Sequence, residues 1–102
     1  MRYELELEGV RREFKSLSDA IQHFAQAANS GAGSAGVWID AKPGLRYWRT
    51  AGTAHYAFHY QGGAFQEWTG ADADARIREL LGPLALRDLT RLMDDELSLI
   101  HI

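Results

Sequence analysis

Few residues in this chain could carry chemistry, and their spacing decides what each could do. His55 and His59 form H-x-x-x-H, which on a helix would set two imidazoles on one face within reach of a single zinc. The segment Ala54 to Tyr60, however, alternates, is rich in aromatics and lies between Gly52 and Gly62, so a strand is expected there. Residues four apart on a strand stand about 13 Å apart, whereas the ligands of one zinc each lie about 2 Å from it. No metal site is expected. Gly31, Gly33 and Gly36 spell G-x-G-x-x-G, the pattern of a dinucleotide-binding loop. That loop needs a strand before it and a helix after it, so that a helix N-terminus faces the pyrophosphate. Here the helical pattern comes first and the strand pattern Val37-Trp38-Ile39-Asp40 follows, so the glycines are expected to form a linker and no cofactor is expected. There is no cysteine and no G-x-S-x-G, and Ser16, Ser18, Ser30 and Ser34 fall at a helix start or in the glycine-rich run. An enzyme reading would use His55 with Asp40 as an acid-base pair, without an identifiable nucleophile.

The elements that must position these residues follow from periodicity. Arg2 to Glu8 alternates strictly, with Tyr3, Leu5 and Leu7 on one side, and Val10 to Phe14 reads as its return strand after Gly9. Ser16 followed by Asp19 fits a capping box, and Leu17, Ile21, Phe24 and Ala28 form one apolar helical stripe ending near Asn29. Asn29 to Gly36 is rich in glycine, alanine and serine, a flexible connection. Val37 to Thr69 holds most of the aromatics between the turn candidates Lys42-Pro43-Gly44, Ala51-Gly52 and Gly62-Gly63, which predicts a four-stranded antiparallel meander. A second helix is expected from Thr69 or Gly70, with Asp72 and Asp74 beside its N-terminal dipole, and a third from Pro83 with Leu86, Leu89 and Met93 on one face. The fold expected is α+β: an N-terminal hairpin, a helix, the meander, and two C-terminal helices packed on one face of the sheet.

Strand registers then sort the side chains. A Lys42-Pro43-Gly44 loop sets Ala41 opposite Leu45, Asp40 opposite Arg46, Ile39 opposite Tyr47 and Trp38 opposite Trp48. An Ala51-Gly52 turn sets Trp48 opposite His55 and Tyr47 opposite Tyr56, and a Gly62-Gly63 turn sets Tyr60 opposite Phe65 and Ala57 opposite Trp68. One face then holds Val37, Ile39, Leu45, Tyr47, Tyr56, Phe58, Tyr60 and Phe65, the seat for the helices, with Glu67 at its rim. The other gathers Trp38, Trp48 and Trp68 with Asp40, Arg46, His55, His59 and Gln66. Tryptophan mixed with arginine and histidine is the composition of interface hot spots. Trp38, Arg46, Trp48, His55 and Trp68 are therefore the candidate binding residues. The bland alternatives are a second layer covering the tryptophans and a one-residue register slip, which would exchange the faces.

At 102 residues, 46% hydrophobic and 25% charged, the chain has the size and composition of a single globular domain without a membrane span. The absence of cysteine excludes disulfides and thiolate metal sites and suggests a cytoplasmic setting. A net charge of −3 provides no global field for a polyanion. Leu97-Ser98-Leu99-Ile100-His101-Ile102 matches the in-frame translation of CTGTCTCTTATACACATC, the mosaic end of a transposase sequencing adapter. The expectation is accordingly a domain over residues 1–96 from a metagenomic read, with residues 97–102 an adapter scar. The function expected is a non-enzymatic interaction module of prokaryotic or phage origin that binds a protein partner through the tryptophan face. The alternative is single-stranded nucleic acid stacked on the same tryptophans, with Arg46 and Arg49 on its phosphates.

Overall fold

The computed structural model describes residues 1–59 and 65–100, and the side chains of residues 1–59 and 66–93. Strands β1 (Tyr3–Leu7) and β2 (Val10–Phe14) form a hairpin. Helix α1 (Leu17–Asn29) leads into β3 (Ser34–Ile39), β4 (Lys42–Thr50), β5 (Thr53–His59) and β6 (Phe65–Thr69), and the chain continues in α2 (Ala71–Glu79) and α3 (Pro83–Ile100). The fold is α+β, as the periodicities imply. The expected meander is present, and the hairpin joins it through β1 pairing with β3, giving one antiparallel sheet in the order β2-β1-β3-β4-β5-β6.

All three helices pack on one face of this sheet. Ser16 caps α1, its hydroxyl accepting the Asp19 N–H at 3.1 Å, and the stripe Leu17, Ile21, Phe24 and Ala28 is buried as its spacing requires. It meets Leu5, Val37, Ile39, Leu45, Tyr47, Tyr56 and Phe58, the inward-pointing set of the strands. Ile77 and Leu80 extend the core from the α2 side, and Leu86, Leu89 and Met93 of α3 lie along α1. Burying even one such aliphatic side chain contributes about 1.5 to 3 kcal/mol, which is why the helices all take this side.

Three local expectations are overturned. The glycine-rich run is not a linker throughout: Ser34–Ile39 is a central strand, held by β1 on one side and β4 on the other. Pairing on both edges outweighs the poor strand propensity of Gly36, a β position where the missing side chain leaves room for a neighbour. The β3–β4 reversal is not at Lys42-Pro43-Gly44 but at Asp40-Ala41, both in the left-handed region with φ of 49° and 65°. This two-residue turn twists as the flanking strands do. Lys42 and Pro43 instead open β4, with a register shift between Val37 and Trp38. Arg46 therefore faces Gly36 rather than Asp40, and Trp48 faces Ser34 rather than Trp38. Third, β6 is displaced by one residue from the expected register, so that Ala57 faces Glu67, Tyr56 faces Trp68 and His59 faces Phe65. Tyr60 and the Gly62-Gly63 turn lie outside the described residues, as do the side chains of residues 97–102 on which the adapter reading bears.

Candidate functional site

Opposite the helices, the sheet presents a second face built by residues of the other parity. Along one line across the strands run Glu6, Gly36, Arg46, Ala57 and Glu67, and on either side of that line stand Trp38 with His59 and Trp48 with His55. Among the described residues, no helix packs on this face. Trp38 and Trp48 are half-buried and Arg46 is exposed.

The glycine at the middle of β3 shapes the face. A Cβ at Gly36 would come within 3.4 Å of the Trp38 indole nitrogen and 3.3 Å of the Leu45 carbonyl oxygen, so the indole lies down over the glycine. The Arg11 guanidinium sits 4.0 Å from the Trp38 ring centroid, and Arg11 is anchored by Glu6 at 3.5 Å. Beside this stack is a notch of about 110 Å³, lined by Glu6, Ser34, Gly36, Trp38, Arg46 and Trp48 among others. On its far wall Trp48 lies nearly parallel to the His55 ring, centroids 5.1 Å apart and planes 8° apart, while the Arg46 guanidinium is 5.3 Å from the Trp48 centroid. His55 turns its buried Nδ1 toward Glu67, 3.6 Å from Oε1, an ion-pair distance too long for a hydrogen bond. His59 has its pKa lowered, by burial first and by the neighbouring Arg46 charge second, with Glu67 acting the other way.

The candidate residues divide accordingly. Trp38, Arg46, Trp48 and His55 share this face, because the β3–β4 register differs from expectation by an even number of residues at Trp48 and parity survives. Trp68 does not join them. It is half-buried on the helix side, stacked on Tyr56 with centroids 5.1 Å apart, because the β6 register moves by an odd number. The same slip moves Glu67 off the apolar rim and brings it to His55, and carries Gln66 to the side of Phe58. Arg49 also faces the helices, 3.6 Å from Asp74 on α2, so it is no neighbour of Arg46 for contacting a phosphate strand. Asp40 is held at the β3–β4 turn, its carboxylate accepting the Arg2 N–H at 2.9 Å. From the level of Ser34, where His55 lies, Asp40 is six residues away, about 20 Å along the strand. An acid-base pair of the two does not form.

His55 and His59 stand on one strand, and among the described residues no group of three His, Cys, Asp or Glu side chains is placed to hold a metal ion. No described helix is long and apolar enough to cross a membrane. Arg11 and Glu67 belong to the face, although sequence reasoning missed Arg11 and set Glu67 at the rim of the opposite face. Arg11 was legible in principle, since the hairpin pairs it with Glu6, but only the β1–β3 pairing brings it to Trp38. In comparisons with protein-family models, curated proteins and solved structures, no match to this chain was found.

Proposed function

We propose that the chain is a non-enzymatic interaction module that binds a protein partner through the open sheet face, with Trp38, Arg46, Trp48 and His55 as its centre. One observation carries this reading: two tryptophans and an arginine, the residue types that dominate binding energy at interfaces, lie side by side on the one sheet face that no described helix covers. The notch between them is far smaller than the several hundred Å³ of a cofactor or nucleotide site, which favours a side chain inserted from a partner over a small-molecule substrate. A cytoplasmic setting belongs to the same proposal, on the lack of cysteine.

The test is a two-hybrid screen repeated with variants. A partner found with the wild-type chain should be lost with Trp48→Ala and with Arg46→Ala, yet retained with Leu84→Ala, an exposed leucine on α3. Loss with Leu84→Ala and retention with the two face variants would place the interface on the helix side and sink the proposal. Single-stranded DNA binding by the purified chain that depends on Trp38 and Trp48 would favour the nucleic-acid alternative instead.

A further inference from the structure

The proposed binding face does not by itself say what kind of side chain it takes, but the charges around the notch do. Arg11 is neutralised in place by Glu6 at 3.5 Å, so that pair presents no net charge. Arg46 differs: its guanidinium is held against Trp48, and among the described residues no carboxylate lies within ion-pair distance of it. A guanidinium fixed by stacking keeps its N–H fork directed outward at little further entropic cost, the arrangement suited to bidentate binding of an oxyanion.

We infer that the notch over Gly36 receives one acidic side chain, aspartate or glutamate, from an extended segment of a partner protein, with Arg46 taking the carboxylate and Trp38 and Trp48 flanking its stem. This rests on the open-face reading above. The volume of about 110 Å³ admits one side chain. Glu67 lies on the same cross-strand line as Arg46, two strands away, and its field opposes a dianion such as phosphate more than a single carboxylate. A chain terminus is disfavoured for a different reason. Terminal carboxylates are captured in nests of free backbone N–H groups, whereas the N–H groups flanking this notch belong to strands paired on both sides. Side-chain donors are what remains, Arg46 at the wall with the Ser34 hydroxyl and the Trp38 indole N–H near it.

The experiment is an NMR titration of the isotope-labelled full chain, following the Arg46 side-chain Nε–H and the indole N–H signals of Trp38 and Trp48. Three probes are used: a capped pentapeptide with aspartate between two leucines, the same peptide with asparagine, and a peptide of alanine and leucine whose only carboxylate is its C-terminus. The expected result is saturable movement of all three signals with the aspartate peptide. Affinity should be about tenfold lower for the other two peptides, and lower to the same degree for Arg46→Gln, the scale of one lost charge-assisted hydrogen bond. The indole signal of Trp68, on the other side of the sheet, should stay still throughout and reports that the variant remains folded. Equal affinity for the aspartate and asparagine peptides would overturn the carboxylate anchor while leaving the face a peptide-binding surface. Tightest binding of the chain-end peptide would overturn the side-chain source. No movement with any probe would overturn the inference altogether, while the reading of the face itself would still be judged by the Trp48→Ala and Leu84→Ala comparison.

Discussion

Replacing Ala41 with glycine should stabilise the protein, although the same change inside a strand would weaken it. Ala41 has φ of 65° in the β3–β4 turn, a left-handed conformation in which its Cβ crowds the backbone. That conformation costs an L-residue about 1 to 2 kcal/mol relative to glycine. Glycine gives back about 0.4 to 1 kcal/mol through the greater freedom of the unfolded chain. The balance is a gain of roughly 0.5 to 1 kcal/mol, seen as a rise of about 3 to 6 °C in melting temperature for a chain of this size. Urea unfolding and thermal melts of Ala41→Gly should be run beside two controls. Asp40→Gly relieves the same kind of strain at φ 49° but loses the carboxylate that accepts the Arg2 N–H, so its gain should be smaller or absent. Ala57→Gly, in the interior of β5, should lose at least about 0.5 to 1 kcal/mol. If Ala41→Gly instead destabilises as Ala57→Gly does, Ala41 has extended backbone and the reversal lies at Lys42-Pro43-Gly44. Trp38 would then face Trp48 directly and the notch would not exist.

Acrylamide quenching of variants that keep one tryptophan, with phenylalanine at the other two positions, should find Trp38 and Trp48 more accessible than Trp68, which packs on Tyr56 against the core; the reverse order would exchange the two faces. His59, whose pKa burial and the Arg46 charge lower, holds its proton less readily in the folded chain than in the unfolded one. Its contribution to stability is therefore intact above the unfolded value of about 6.5 and fades as pH falls below it toward the lowered folded pKa. His59→Gln should flatten the loss of stability between about pH 7 and pH 5, as read by denaturant midpoints, and an unchanged slope would show that His59 is not responsible. Zinc at near-stoichiometric concentration should leave the melting temperature unchanged, and a rise abolished by His55→Ala and His59→Ala would contradict the separation of the two rings along β5.

Which parts of this architecture could be read from the residues depends on what fixed them. The α1 stripe and its Ser16 cap were legible because burial and capping are local in sequence, and the structure has both. The tight turn at Ala51-Gly52 carried the β4–β5 register correctly, including Trp48 opposite His55. At Asp40-Ala41 the signal was weak, since alanine is seldom chosen for positive φ, and Pro43-Gly44 downstream offered a more conventional turn. That error moved partners without moving Trp48 to the wrong face, because the shift was even. At β6 the shift was a single residue, and it exchanged Trp68 for Glu67. Nothing local distinguished the two registers there, since Phe65-Gln66-Glu67-Trp68 places one aromatic on each face whichever way it is read. The position of Arg11 over Trp38 depended on a pairing between segments some thirty residues apart, which periodicity does not encode.

The same distant pairing divides the sheet by the distance that folding must cover. β3 to β6 are joined hairpin to hairpin, and β1 with β2 forms a hairpin of its own, so each group closes short loops. The seam between them, Tyr3↔Ile39 through Leu7↔Ala35, closes a loop that contains all of α1. Loop-closure entropy and contact order both place such a seam late in assembly. It should also be among the first to part when the native protein opens locally, and amides along β1 and β3 should exchange with solvent ahead of those shared by β4 and β5. The notch straddles that seam, with Glu6 on one side and Gly36, Trp38 and Arg46 on the other. A ligand seated there touches both halves, and its occupancy should slow exchange along the joint by the factor its affinity and concentration set.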